Sequence, residues 1–290
     1  MNILEKLLTR IYDTELNIGV GLGEENYHNS KILYAIIKFF TKIKNSKYIK
    51  IYLFGSEEAT AKLSKNPSYM KYDDRIILVP SEQPEITLFD YLSEFKINSI
   101  IRGSISSSKF LELVKKTFDT EEIYRLALLE TSSGIQFFYG PVGIDECNDL
   151  ASKIEFIDRA IKEMKNLNLE PNITILSGGR HSDVGRHERV DKTINEAENI
   201  LEHYENLNPN LEIFHRQILI EQAIEKESNL IIAPDGITGN LIYRTLVHLG
   251  SGNAYGAIYM GLDKILIDTS RVGKLSEIYG ALILSLALQT

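Results

Sequence analysis

Short runs of β-branched and aromatic residues alternate along this chain with longer stretches whose apolar positions recur every three or four residues. The short runs predict strands over 16–21, 49–54, 75–79, 99–101, 136–139, 172–176, 211–214, 229–233, 254–259 and 264–267. Between them, 30–44, 107–118, 149–166, 189–204 and 239–249 have helical spacing, and a last helix starts near Ser276. Ile154, Ile157, Ile161 and Met164 form one such stripe. Strands and helices in this alternation predict an α/β protein with a mostly parallel sheet. At 290 residues a single core stops growing efficiently, so two domains or one large domain are expected. No linker divides the chain; the sharpest break is Tyr139-Gly140-Pro141-Val142-Gly143, with a second near Gly261.

Composition narrows the partners. The chain carries 32 Lys+Arg against 40 Asp+Glu, a net charge of −8. That balance argues against nucleic acid or an anionic membrane as partner, because both require a basic face. The single cysteine, Cys147, cannot bridge within the chain, which fits a reducing compartment. The N-terminus shows no secretory leader, and the apolar stretch 279–288 is far short of the roughly 20 residues a bilayer needs. The expectation is a soluble, cytoplasmic protein. Only 11 of the 32 basic residues are arginine, however, and Arg102, Arg125, Arg180, Arg186, Arg244 and Arg271 all fall in segments with unusual chemistry. The net charge therefore conceals a positive pocket for a small anionic ligand.

Four segments place glycine or hydroxyl residues beside polar or charged groups immediately after a predicted strand. In an open α/β sheet ligands bind there, where free N–H groups and helix dipoles favour anions. The first, Arg102-Gly103-Ser104-Ile105-Ser106, offers a bidentate guanidinium and several hydroxyls; it also reads as an N-cap with a surface arginine. The second is Ser177-Gly178-Gly179-Arg180-His181, followed by Asp183, Arg186 and His187. Its glycines and arginines speak for an anion; its histidines lack the spacing of a metal motif, so no metal is assigned. The third, Pro234-Asp235-Gly236-Ile237-Thr238-Gly239-Asn240, reads as a helix cap or as a loop in which Asn240 meets a carbonyl or amide. The glycines here permit unusual backbone angles. The fourth, Asp268-Thr269-Ser270-Arg271, joins an acid, a hydroxyl and a guanidinium; either it clamps developing negative charge, or Asp268 and Arg271 pair to close a turn.

There is no G-x-x-x-x-G-K-[ST] loop, no G-x-S-x-G elbow and no corrinoid-binding DxHxxG string. Gly19-Val20-Gly21-Leu22-Gly23 lacks the dinucleotide spacing, and Glu24 and Glu25 follow it directly. Cys147 follows Asp145 and Glu146, which raise a thiol pKa and argue against a nucleophile.

Read in order, the segments at 176–180, 234–240, Tyr243-Arg244, Tyr255-Gly256 and 268–271 resemble the phosphate acetyltransferase and butyryltransferase superfamily. The strings Ile101-Arg102-Gly103-Ser104, 124–131, 140–146, Ser177-Gly178-Gly179-Arg180, Ala233-Pro234-Asp235-Gly236, 239–246 and 267–273 are more closely similar to the MtxX family, also called methanogenesis marker protein 4. Its members are described as methyltransferase subunits of methanogenic archaea. The resemblance implies a two-domain fold shared with isocitrate and isopropylmalate dehydrogenases, with domains at 1–142 plus 263–290 and at 143–262 and a cleft between them. It implies an anion-binding cluster of Ser270 and Arg271 with Arg102 and Arg125. With the fourth segment's own reading, Ser270, Arg271 and Asp268 are the candidate catalytic residues of a group transferase, a phosphate acyltransferase or a non-catalytic accessory protein with an anion pocket being the alternatives. Ligand binding would fall to Arg102, Ser104, Arg125, Ser177, Gly178, Gly179, Arg180, Asp235, Gly239 and Asn240. It further implies a homodimer, phosphate or CoA as ligand, and other methyltransferase subunits as partners. Two departures bear on the ligand: the acid following the terminal arginine is Glu277 rather than Asp, and the hydroxyl-rich loop has become Ser177-Gly178-Gly179-Arg180.

Overall fold

The computed structural model describes residues 2–9, 15–43 and 48–289, so Lys44, the expected end of the first long helix, lies outside the described residues. Two compact units emerge. A discontinuous unit comprises Ile3–Ile123 and Asn253–Thr290, and an inserted unit comprises Tyr124–Gly252. Among the described residues no helix is long and apolar enough to cross a membrane.

The discontinuous unit runs α1 (Ile3–Leu8), β1 (Leu16–Gly21), α2 (Asn26–Lys42), β2 (Ile49–Gly55), α3 (Glu57–Ser64), β3 (Ile76–Pro80), α4 (Pro84–Ser93), β4 (Ser99–Ile101) and α5 (Ser107–Phe118). The inserted unit follows with β5 (Arg125–Glu130), β6 (Gln136–Gly140), α6 (Leu150–Asn166), β7 (Asn172–Ile175), α7 (Glu188–Leu207), β8 (Glu212–His215), α8 (Ile220–Glu225), β9 (Leu230–Ile232) and α9 (Gly236–Arg244). The chain then returns through β10 (Asn253–Tyr259), β11 (Ile265–Asp268) and α10 (Leu275–Ala287).

Strand order in the discontinuous unit is β3-β2-β1-β4-β11-β10, with every neighbouring pair parallel except the antiparallel β10–β11. The chain adds β2 and β3 on one side of β1 and then crosses to place β4 on the other. The order therefore reverses between β1 and β4, which makes this the topological switch point where open α/β sheets bind ligands. Apolar strands such as β1 and β4 are buried on both faces, as a sheet covered by helices demands. Helix α10 is predominantly apolar, and it packs against α2 and β10 together.

In the inserted unit the order is β5-β6-β9-β7-β8, parallel apart from the β5–β6 hairpin. Strand β5 (RLALLE) is not predicted by its composition, since leucine and alanine read as helix. Antiparallel pairing with β6, Ala127 opposite Tyr139, overrides that preference. The same hairpin shifts the unit boundaries from those expected. It joins β9 through β6, so 124–142 belong with the inserted unit. Because β10 pairs with β11, 253–262 belong with the discontinuous one.

Candidate functional site

The carboxyl ends of β1, β2, β3, β4 and β11 surround a cavity of about 310 Å³ in the discontinuous unit. Leu22–Glu25 come from the β1–α2 loop, Ser104–Ser106 from the β4–α5 loop and Arg271 from the loop after β11. Its floor is a hydrogen-bond network that fixes the switch point. Ser104 Oγ accepts from the Gly23 N–H (2.7 Å) and donates to Asn29 Oδ1 (2.9 Å), while Asn29 Nδ2 donates to the Gly23 carbonyl (2.8 Å). A Cβ on Gly23 would lie 2.5 Å from the Ser104 carbonyl oxygen, so glycine is there to let the two loops touch. Ser104 thus positions the loop with both of its hydrogen-bonding capacities in use.

Arg102 does not face the cavity. It is buried, and its guanidinium donates to Asp268 Oδ1, to the Ile105 carbonyl (2.8 Å) and to the Thr269 carbonyl. Burial alone would favour losing the charge; the Asp268 carboxylate outweighs it and holds Arg102 protonated. Thr269 Oγ1 completes the lock by donating to the Gly103 carbonyl (3.0 Å). Arg102 and Asp268 are therefore a structural pair joining the β4 and β11 loops, and Asp268 pairs with Arg102 rather than with Arg271.

That arrangement leaves Ser270 and Arg271 presented to solvent. The Ser270 N–H donates to buried Glu277 (2.7 Å), and Lys31 Nζ donates to the Gly273 carbonyl (2.9 Å). Burial lowers the Lys31 pKa against the opposing pull of Glu277 and Glu25. Among the described residues Arg271 has no acidic partner. The remaining wall is mixed. Glu85 pairs with Lys109 (2.8 Å) and Glu25 with His28 (3.1 Å), while Glu24 and Glu82 are exposed. Burial pushes the Glu85 carboxyl up, but Lys109 and the helix backbone hold it below its ordinary value. His28 is buried, and its Nδ1 has no partner.

The other expected ligand residues lie in the inserted unit, and most are engaged internally. Arg125 Nε donates to Glu146 (2.7 Å), whose carboxyl burial pushes up against Arg125's pull. Asp235 caps α9 by accepting from the Thr238 N–H (2.7 Å), and Asn240 Nδ2 donates to the Val142 carbonyl (2.8 Å). Gly236 and Gly239 keep ordinary backbone angles, contrary to the expected unusual ones. Their purpose is space: an added Cβ would lie 1.9 Å from the Gly143 carbonyl oxygen and 2.0 Å from that of Pro141. If Asp235 acts as a cap, Asp235→Ala should cost about 1 kcal/mol in urea denaturation. Asp235→Asn, which still caps, should stay near wild type.

After β7, Ser177 Oγ donates to the Gly179 carbonyl (2.9 Å), the Gly178 N–H donates to Thr193 Oγ1 (2.8 Å) and Arg180 is exposed. Asp183 is held below the usual carboxylate range by the Arg180 N–H and by Arg186. Cys147 is buried, and burial first, then Glu146, pushes its thiol up. Sequence reasoning missed His28, Lys31, Lys109, His215 and Glu198. Lys31 and His28 had a usable signal, sitting in the first turns of the helix that follows β1; Glu198 and His215 had none, because their partners are distant in sequence.

The family described as phosphate acetyl/butaryl transferase matches residues 92–286. A protein of Methanosarcina mazei named "Putative methyltransferase mtx subunit X" is 36% identical over 93% of this chain and 90% of its own length. A namesake from Methanosarcina barkeri is 41% identical over 70% of this chain and 74% of its own. Among solved structures, a branched-chain phosphotransacylase from Enterococcus faecalis superimposes with TM-score 0.68 at 15% identity, covering 95% of this chain and all of that one. A phosphotransacetylase from Streptococcus pyogenes gives 0.68 at 17% identity, covering 98% and 97%.

Proposed function

The chain belongs to the phosphate acetyl/butaryl transferase family, and within it to the mtx subunit X methyltransferase relatives, and from that premise we propose a group transferase that holds the anionic group of its ligand at Arg271. One observation carries the reading: Arg271 is a guanidinium without an acidic partner, on the wall of the switch-point cavity. Ser270 and Lys31 flank it around a small adjoining recess, and a phosphate or carboxylate accepts from such a set with charge-assisted strength.

The rest of the wall limits the ligand. Glu24 and Glu82 repel a second anionic group, so a long polyanion fits poorly. His28 Nε2 lies against the Glu25 carboxylate, so this part of the wall offers no free cation to a second anionic group. A small molecule with one anionic end satisfies both halves. The names of the relatives support a methyl group as the one transferred; the second reading, acyl transfer between acetyl phosphate and CoA, is supported by the family match and the fold.

Incubation with acetyl phosphate and CoA, followed by thioester formation and by thermal melting, separates the readings. The first predicts that acetyl phosphate raises the melting temperature of wild type but not of Arg271→Ala, while no acetyl-CoA forms. A ligand at 100 times its Kd adds about 2.7 kcal/mol to stability, which is easily measured. Acetyl-CoA formation transfers the assignment to acyl transfer. Absence of both protection and acetyl-CoA formation removes both.

A further inference from the structure

In the inserted unit, His181, Glu198 and His215 converge although they stand on three different elements. His181 opens the short turn after β7, Glu198 lies on α7 and His215 ends β8. One ligand atom from each falls within 4.8 Å of the others. His215 Nδ1 is 2.6 Å and His181 Nε2 is 3.6 Å from the same oxygen, Glu198 Oε1.

The hydrogen bonds around His215 hold its ring in place. Ser177 Oγ lies 2.9 Å from the Gly179 carbonyl, to which it can donate, and 2.9 Å from His215 Nε2, so it holds the far side of the His215 ring. His215 Nδ1 faces Glu198 Oε1, and in the tautomer with its proton on Nε2 it offers a lone pair to the space that Glu198 and His181 also face. Gln217 stabilises the frame, accepting from the Ser177 N–H through its carbonyl (2.8 Å) and from the His181 N–H through Oε1 (3.1 Å). The His215 side chain is only 2% exposed, whereas His181 and Glu198 are 55% and 48% exposed and can adjust to an ion.

We propose that His181, Glu198 and His215 bind one divalent transition-metal ion, with Ser177 as the outer hydrogen-bond partner that orients His215. Two imidazoles and one carboxylate select zinc, cobalt, iron or nickel over magnesium or calcium, which prefer oxygen donors. Ligand atoms sit about 2.0–2.2 Å from such an ion, a distance reached by small rotations of the two exposed side chains. Three protein ligands at a half-exposed site leave a coordination position open to water or to a small anionic ligand. Arg180 lies one residue before His181 in the same loop.

The test is a Co²⁺ titration of tag-free protein freed of metal by chelator, followed by visible absorption, with Zn²⁺ competition by calorimetry. Wild type should bind one equivalent with the strong bands of a low-coordinate ion. His181→Ala and Glu198→Ala should each weaken binding at least tenfold while leaving the metal-free melting temperature unchanged. Ser177→Ala should weaken it about 10–100-fold through the ring orientation it controls. No stoichiometric Co²⁺, or wild-type affinity in the His181→Ala/Glu198→Ala double variant, overturns the site and leaves an imidazolium–carboxylate pair in its place.

Discussion

Replacing Asp268 by alanine should destabilise the protein by about 3–5 kcal/mol, the cost of leaving a buried guanidinium without its counter-ion. Arg102 is 6% exposed, and its remaining bonds go to two neutral carbonyls, Ile105 and Thr269, which cannot replace a carboxylate. Had Asp268 been a solvated catalytic acid, the same substitution would cost little stability and only activity. The double replacement Arg102→Met with Asp268→Leu supplies the control. A buried ion pair exchanged for apolar groups is often near neutral, so the double variant should unfold closer to wild type than either single variant. Urea midpoints measure all four proteins. A loss below about 1 kcal/mol in Asp268→Ala, the range of an exposed pair, would mean that water reaches Arg102 and that the pair is not the staple described.

Gly239→Ala and Gly236→Ala carry the next largest effect, about 3 kcal/mol each, at or above the usual ceiling for overpacking. The added methyl would meet backbone oxygen, of Pro141 or Gly143, rather than the yielding end of a side chain. Relief therefore requires moving α9 off the 140–143 segment, which also breaks the Asn240–Val142 bond. Gly134, in the β5–β6 turn, is the contrast. Its φ is +85° with nothing within 4 Å of an added Cβ, so Gly134→Ala should show only the conformational cost, about 1–2 kcal/mol. A loss at 239 no larger than that at 134 would mean that α9 shifts easily and that the close approach to Pro141 is not the constraint described.

These two sites mark how far the sequence could be read. Strand positions were legible because buried parallel strands are short apolar runs, and β1 and β4 fall where expected. The α3 and α4 helices were legible in principle, through Ser56 before Glu57-Glu58 and Pro84 at a first turn. Strand β5 was not, since its pairing partner decides it. All four Gly/Arg segments do leave carboxyl ends of strands, as their spacing suggested. Which arginine faces a ligand was invisible, because the Asp268 that neutralises Arg102 is 166 residues away in sequence. Asn240 likewise meets Val142 across 98 residues of chain, whereas the Asp235 cap on Thr238 is local and was one of the two readings that segment offered. His181 showed no metal spacing, because its companions arrive from α7 and β8.

Arg271 is what survives of the expected arginine cluster in the discontinuous unit, and calorimetric titration of inorganic phosphate tests it most directly. At low ionic strength wild type should give a saturable heat. Arg271→Ala should bind about 10–100-fold more weakly, the worth of one charge-assisted hydrogen bond. Equal affinities in the two proteins, or no heat in wild type, would contradict an anion site at Arg271.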